Sequence, residues 1–350
     1  MVRRVAFAVP GDLASPTGGY AYDRRMIAEL KKLGWQVDVV ALGDGFPRPS
    51  TAQKEYAGRA LAAIPEGIPV MIDGLALGVL PEAAAAVRKQ HPLIALVHHP
   101  LALESGLSTA DAAAMRDSER AALACANAVI VTSAPTARLL TGDYDVTPDR
   151  ITVARPGTDR NHVARSERSG PVKLLSIGSL VERKGFDVLI AALATLTDLV
   201  WRLDIAGDRS RSPSVAARID ADIARHNLGG RVHVLGAVAD ERIAELYVSS
   251  DVFVLASRFE GYGMAYAEAL AHGLPVIGTT GGATPETVPQ GAGILVPPDD
   301  AAALAAALRS VIADPARRKA MAEAARKAAA ALPTWQDSAK SLAAAIERVA

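Results

Sequence analysis

Residues 253–277, Phe-Val-Leu-Ala-Ser-Arg-Phe-Glu-Gly-Tyr-Gly-Met-Ala-Tyr-Ala-Glu-Ala-Leu-Ala-His-Gly-Leu-Pro-Val-Ile, leave this chain few choices of fold. An apolar run of strand type passes through a Glu260-Gly-Tyr-Gly turn into good helix formers, which stop at Gly273 with Pro275 beyond. Strand, glycine turn, helix and strand in so short a span predict an α/β sheet unit. The turn offers backbone N–H groups at a helix N-terminus, which favours an anion such as a phosphate, and its glycines let that anion reach the main chain. Glu260 and Glu268 flank the helix start. At ~100° per residue they lie about 80° apart on the wheel and would meet different parts of one ligand. Taken alone, Glu260 could equally complement the helix dipole and Glu268 be a solvated helix residue.

A chain of 350 residues, half of them apolar, can bury two cores, so two domains are expected. Its 38 basic and 38 acidic residues cancel, which gives no electrostatic case for nucleic acid as a partner. Cys125 is the only cysteine, so neither a disulfide nor a cysteine metal site can form within the chain, and a small core role is expected for it. The N-terminal apolar run is too short for a signal peptide, and no stretch of some 20 apolar residues follows. A cytoplasmic protein is expected, with peripheral membrane contact left open.

The first half alternates strands and helices. Residues 4–9 read as a buried strand, followed by a loop ending in Gly18-Gly19 and a helix over 20–33. Met26, Ile27, Leu30 and Leu33 share one side of that helix, and Arg24, Arg25, Lys31 and Lys32 the other. The cationic side could meet anionic lipid or simply water. Further strands are expected at 36–42, 70–72, 93–97 and 128–132, and helices at 81–90 and 117–126. The Gly-x-Gly-x-x-Gly dinucleotide fingerprint is absent from the first turn. His98-His99-Pro100 follows the strand at 93–97, at the end where open α/β sheets hold ligands, although a histidine there can also be a packing residue.

The second half restarts with a strand at 172–177 and then Gly178-Ser-Leu-Val-Glu-Arg183-Lys184-Gly185, opening a helix. This is not a Walker loop, but it sets two cations beside a helix start, the arginine as a planar fork and the lysine as a mobile point charge. Such a pair can be plain surface charge, or it can neutralise a pyrophosphate. Strands are expected at 203–206, 231–235 and 275–278, and Asp240 is expected to cap a helix.

Glu260, seven residues, Glu268, set in Gly-Tyr-Gly-Met, Glu-Ala-Leu-Ala and Gly-Leu-Pro-Val-Ile, resembles the donor-binding signature of family 4 glycosyltransferases. The resemblance implies a GT-B fold: two doubly wound Rossmann-like domains facing across a cleft, residues 1–160 taking the acceptor and 171–334 the nucleotide-sugar, with a C-terminal helix at 335–350 crossing back to the first. It implies that Glu268 holds the ribose hydroxyls, that Glu260 faces the donor sugar, and that Gly261, Tyr262, Gly263 and Met264 lie against sugar and pyrophosphate. Gly18 and Gly19 match the family's glycine pair over the donor phosphates, Arg183 and Lys184 its basic element, and Gly207 a nucleotide contact. His98 is the better match to the family's sugar-facing histidine, with His99 one position away. The segment Gly207-Asp-Arg-Ser-Arg-Ser-Pro departs from the family's Gly-Asp-Gly-Pro turn and obscures how the base is read, leaving Gly236 to Val238 as weak candidates.

The implied activity is retaining hexosyl transfer from a UDP-, GDP- or ADP-sugar to a hydroxyl of a polysaccharide, a lipid-linked acceptor or a small molecule, in glycan synthesis. No cofactor and no metal are implied. Asp143-Tyr-Asp145 and Asp220-Ala-Asp222 have metal-binding spacing but no strand end beside them, and solvated carboxylates are expected. An epimerase-type enzyme of the same fold, or a silent binding subunit, is the competing reading. The acceptor loops, 43–51 and 101–109, match nothing legible, and the polar stretch 161–171 is expected to be a linker.

Overall fold

The computed structural model describes residues 3–104, 106–159 and 170–350. Most of the expected linker at 161–171 lies outside the described residues. The chain divides into two compact units, Met1–Gly157 with Pro333–Ala350, and Thr158–Leu332.

In the first unit the strands are β1 (Arg4–Val9), β2 (Gln36–Ala41), β3 (Val70–Asp73), β4 (Leu93–Val97), β5 (Ala128–Val131) and β6 (Ile151–Val153). They form one parallel sheet in the order β2-β1-β3-β4-β5-β6. β3, β4 and β5 are buried along their whole length, as parallel strands covered by helices on both faces must be, and this is why they read as unbroken apolar runs. The connections change direction between β1 and β3, which opens a crevice at the carboxyl ends of these strands.

The second unit has β7 (Val172–Ile177), β8 (Trp201–Ala206), β9 (Val232–Gly236), β10 (Val252–Val254), β11 (Val276–Thr279) and β12 (Gly293–Val296). Again all are parallel, in the order β12-β11-β10-β7-β8-β9, with the change of direction between β7 and β10. This is the doubly wound arrangement. Leu174, Leu175, Phe253, Val254 and Ile277 are fully buried in its core.

The terminal helix Trp335–Glu347 belongs to the first unit. A Cβ on Gly157 would stand 2.2 Å from the Trp335 nitrogen, so the chain passes this helix at backbone contact. Trp335 meets the Tyr22 ring edge-on, 6.1 Å between centroids, and the Arg25 guanidinium lies 4.8 Å from its ring.

Several local expectations need correction. The glycine pair is not in a loop: the helix is Gly18–Lys32, with Thr17 capping it, so Gly18 and Gly19 form its first turn. Arg24 donates to the carbonyls of Leu13 and Ser15, at 2.6 and 3.1 Å, Arg25 covers Trp335, and Lys32 pairs with Glu29 at 2.7 Å, so most of the cationic side is used within the chain. Asp240 is the first residue of its helix and Ala239 the cap. Asp143 of the Asp143-Tyr-Asp145 pair ends the helix Ala134–Asp143. Cys125 is a half-buried C-cap residue that only edges the core. The expected loop at 43–51 ends where the helix Thr51–Ala62 begins, capped by a reciprocal Ser50 and Gln53 pair.

Candidate functional site

The second unit assembles its polar centre on both sides of its switch point. β7 leads into a short 3-10 turn, Glu182–Lys184, and Gly185 then takes a left-handed conformation, φ +62°, before the helix Phe186–Ala194. Any Cβ on Gly185 would lie 2.0 Å from the Ala256 carbonyl oxygen, so only glycine lets this turn approach the loop after β10. The Arg258 N–H donates to the Arg183 carbonyl at 2.7 Å and joins the two loops. Arg258 adds ion pairs to Asp187 and Asp299, both at 2.7 Å.

Glu260 is buried at the centre of this arrangement. Lys184 Nζ donates to its Oε1 at 2.6 Å and the Ser257 hydroxyl at 2.5 Å, while Arg183 Nη1 stands 3.8 Å from Oε2 and donates to the Phe259 carbonyl at 2.8 Å. Burial pushes the Glu260 carboxyl upward, but Lys184 and then Arg183 outweigh it and hold the group below its ordinary range. Two cationic side chains thus stand against one carboxylate, an arrangement suited to an anion.

Gly263, at φ +88°, caps the helix Met264–Ala271. Its Cβ would stand 2.7 Å from the Tyr266 ring, whose hydroxyl donates to the Leu255 carbonyl at 2.6 Å. Because the helix begins at Met264, Glu260 is not on it, and the 80° wheel angle between the glutamates has no meaning. Glu268 is half-buried and accepts the Tyr247 hydroxyl at 2.9 Å. Burial is the main reason its carboxyl is pushed up to about 7; the Tyr247 bond opposes this, and Asp159 and Asp240 assist it.

A second glycine pair packs against this centre. Gly281 and Gly282 face the Glu260 loop at backbone distance: Cβ atoms there would lie 2.3 Å from the Arg258 oxygen and 2.2 Å from the Glu260 oxygen. The Ala283 N–H donates to the same Glu260 carbonyl at 2.8 Å. Gly207, expected as a nucleotide contact, has a packing reason of its own, since its Cβ would stand 1.8 Å from the Gly178 oxygen.

The first unit builds a different centre. His98, after β4, points Nε2 at Asp23 Oδ1, 3.2 Å, and at Asp73 Oδ2, 3.3 Å. Asp73 ends β3 and also accepts the Leu75 N–H at 2.7 Å. The Tyr22 ring packs edge-on against the imidazole at 5.3 Å, and Gly19 leaves room for it, since a Cβ there would stand 3.3 Å from His98 Cδ2. The structure thus brings Gly19 and His98 together. His99 turns instead to Glu104, at 2.5 Å. Asp23 and Asp73 were missed. One signal was available: Asp23 stands in register with Met26, Ile27 and Leu30 on the buried side of its helix, where a carboxylate needs a partner.

Comparison with known proteins matches residues 158–328 to the model for glycosyl transferases group 1 and residues 72–162 to that for glycosyltransferase family 4. The chain belongs to the group 1 glycosyl transferases. It is thus a glycosyltransferase. It is 28% identical over 326 residues to the MMP alpha-(1->4)-mannosyltransferase of Mycolicibacterium hassiacum, covering 87% of this chain and 76% of that one. It is 35% identical over 192 residues to glycogen synthase of Mycobacterium tuberculosis, 53% of this chain and 45% of that one, so it spans under half of that relative. Among solved structures, sucrose-phosphate synthase from Thermosynechococcus elongatus superposes with a TM-score of 0.83 at 24% identity, over 99% and 98% of the two chains, which shows the shared GT-B fold.

Proposed function

We propose that this glycosyltransferase takes a nucleoside-diphosphate sugar and transfers the hexosyl group, with retention, to an acceptor hydroxyl in glycan synthesis, without a metal. The observation that carries the reading is the cluster of Arg183, Lys184 and Glu260 across the β7/β10 switch point, beside the helix start that carries Glu268. Two cations set against one carboxylate suit a diphosphate, and the Arg fork and Lys ammonium can hold both phosphates. As the bond from the anomeric carbon to the phosphate oxygen breaks, the electron pair stays on the diphosphate, where these cations and the Met264–Ala271 helix start stabilise it. The acceptor oxygen forms the new bond, and its proton passes to the leaving phosphate. Glu268 receives the ribose hydroxyls and Glu260 orients the cations and meets the sugar.

The names of the two relatives differ in product, so base, sugar and acceptor are to be read by experiment. We take the enzyme to act in the cytoplasm. Among the described residues no helix is long and apolar enough to cross a membrane, and peripheral contact would fall to the exposed Lys31.

The test is a thermal-shift panel of UDP-, GDP- and ADP-sugars, with NAD as control, on wild type and Glu268→Ala. A ligand at 100 times its Kd stabilises by about 2.7 kcal/mol. One nucleotide series should shift the wild type and lose its effect in the variant. A shift with NAD alone, or with none, would overturn the reading.

A further inference from the structure

We propose that Asp23 and Asp73 are positioning residues that clamp His98 through Nε2, so that its Nδ1–H is held out as a hydrogen-bond donor to a neutral carbohydrate oxygen at the carboxyl end of the first sheet. The ligand class deepens the glycosyl-transfer reading and rests on it. The clamp itself does not.

The geometry is over-determined. One nitrogen, Nε2, faces two carboxylate oxygens at 3.2 and 3.3 Å, contributed by a helix and by the end of β3, so rotation of the ring would leave two buried carboxylates unpaired. Nδ1 makes no hydrogen bond among the described residues, nor is it one of the buried polar atoms left unpaired, which puts it on the accessible side of the ring. Tyr22 fixes the ring from its edge and is itself anchored, its hydroxyl donating to the Ala154 carbonyl at 3.0 Å. The Thr132 hydroxyl holds the His98 carbonyl at 3.1 Å. Asp23 Oδ2 is buried without a partner, a cost that a proton on this carboxyl or a nearby positive charge would relieve.

The charges agree with the geometry. Burial opposes a charged His98, but Asp23 and Asp73 outweigh it and push the imidazole up to about 10. Burial, and then the Asp73 charge, push Asp23 up to about 7. Tyr22 is pushed far up by burial and stays protonated. At neutral pH an imidazolium, the Asp73 carboxylate and a partly protonated Asp23 sum to between 0 and −1. Such a centre does not draw a phosphate. It offers a strong N–H donor to a neutral oxygen, of the donor sugar or of the acceptor.

The test is histidine-ring 1H–15N NMR from pH 5 to 10, the His98 signal being the one that Glu or Asp variants leave and His98→Gln removes. In wild type both ring nitrogens should stay protonated at pH 8. Asp73→Asn, which keeps an acceptor for the Leu75 N–H, should lower the midpoint by at least one unit, and Asp23→Asn should do the same if the first variant fails to fold. A wild-type midpoint near 6.5, or one unmoved by the variants, overturns the clamp. So does a thermal shift with Zn2+ that Asp73→Asn abolishes, because a cation would replace the Nε2 proton. With whichever donor is active, Asp73→Asn should lose kcat/KM above pH 8 while wild type holds level, through the donor KM if the sugar is the partner and the acceptor KM if the acceptor is. An unchanged profile overturns the ligand-facing role. Absence of transfer with every donor, beside an intact NMR result, would instead overturn the proposed function.

Discussion

The two units solve one topological problem with opposite charges. At the switch point of the first sheet a cation, His98, is held between the carboxylates Asp23 and Asp73. At the switch point of the second a carboxylate, Glu260, is held beside the cations Arg183 and Lys184. Both are tied across distant strands and both rest on glycines that admit close packing, Gly19 in one, Gly185 and Gly282 in the other. The signs are opposite, and our proposals follow that difference: a diphosphate for the second centre, neutral oxygens for the first.

The largest effect should come from removing a cation at the second centre. Arg183→Ala or Lys184→Ala should lower turnover on the order of 10²- to 10³-fold, like the loss of one preorganised charge-stabilising donor, measured with saturating donor. Intact turnover in both would break the assignment. Next, Glu260→Gln leaves two cations facing one another. Unfolding in urea should show a loss on the order of 2 kcal/mol, below the roughly 3–5 kcal/mol of a fully buried pair because both cations reach solvent. Pyrophosphate should restore more stability to this variant than to wild type, and an equal response would blunt the comparison.

Gly282→Ala places a Cβ 2.2 Å from the Glu260 carbonyl oxygen at φ +65°. It should cost about 1–3 kcal/mol in the same urea assay and weaken donor binding, whereas Gly229→Ala, with open space around it, should cost little. The last effect is a pH dependence, damped by solvent because Glu268 is half-buried. Glu268 titrates at about 7 in the folded protein and at about 4.3 when unfolded, so the folded state retains a proton that the unfolded chain has lost. Its contribution to stability therefore falls as pH rises between those values. The stability gained by Glu268→Gln should grow from pH 5 to 7 and level off above. Donor affinity should move the other way, rising with pH through about 7, if the carboxylate accepts the ribose hydroxyls.

What the sequence made legible follows from burial. β1, β4 and β7 are fully or almost fully buried, so their apolar runs announced them with the observed limits. β12 is only half-buried and β6 has three half-buried residues, so neither carries a strand pattern that stands out. The Glu260–Glu268 frame was readable because it is local. Its partners are 76 residues away, and no spacing rule could show that Lys184 and Glu260 touch. The same holds for Asp23 and His98, 75 residues apart. The reason for the glycine pair at 281–282 is likewise not local: the Glu260 loop is pressed against it. The wheel argument for the two glutamates failed on one residue: Gly263 turns left-handed and starts the helix after Glu260.

The central claim is that the second centre, and not the first, takes the diphosphate. Calorimetric titration of the cognate nucleoside diphosphate, without sugar, into wild type, Lys184→Ala and Asp73→Asn tests it most directly. Loss of one charged hydrogen-bond partner is worth about 1.5–3 kcal/mol, so Lys184→Ala should raise Kd by roughly 10- to 150-fold while Asp73→Asn leaves it within a factor of two. Equal weakening in both variants, or none in Lys184→Ala, would contradict the account.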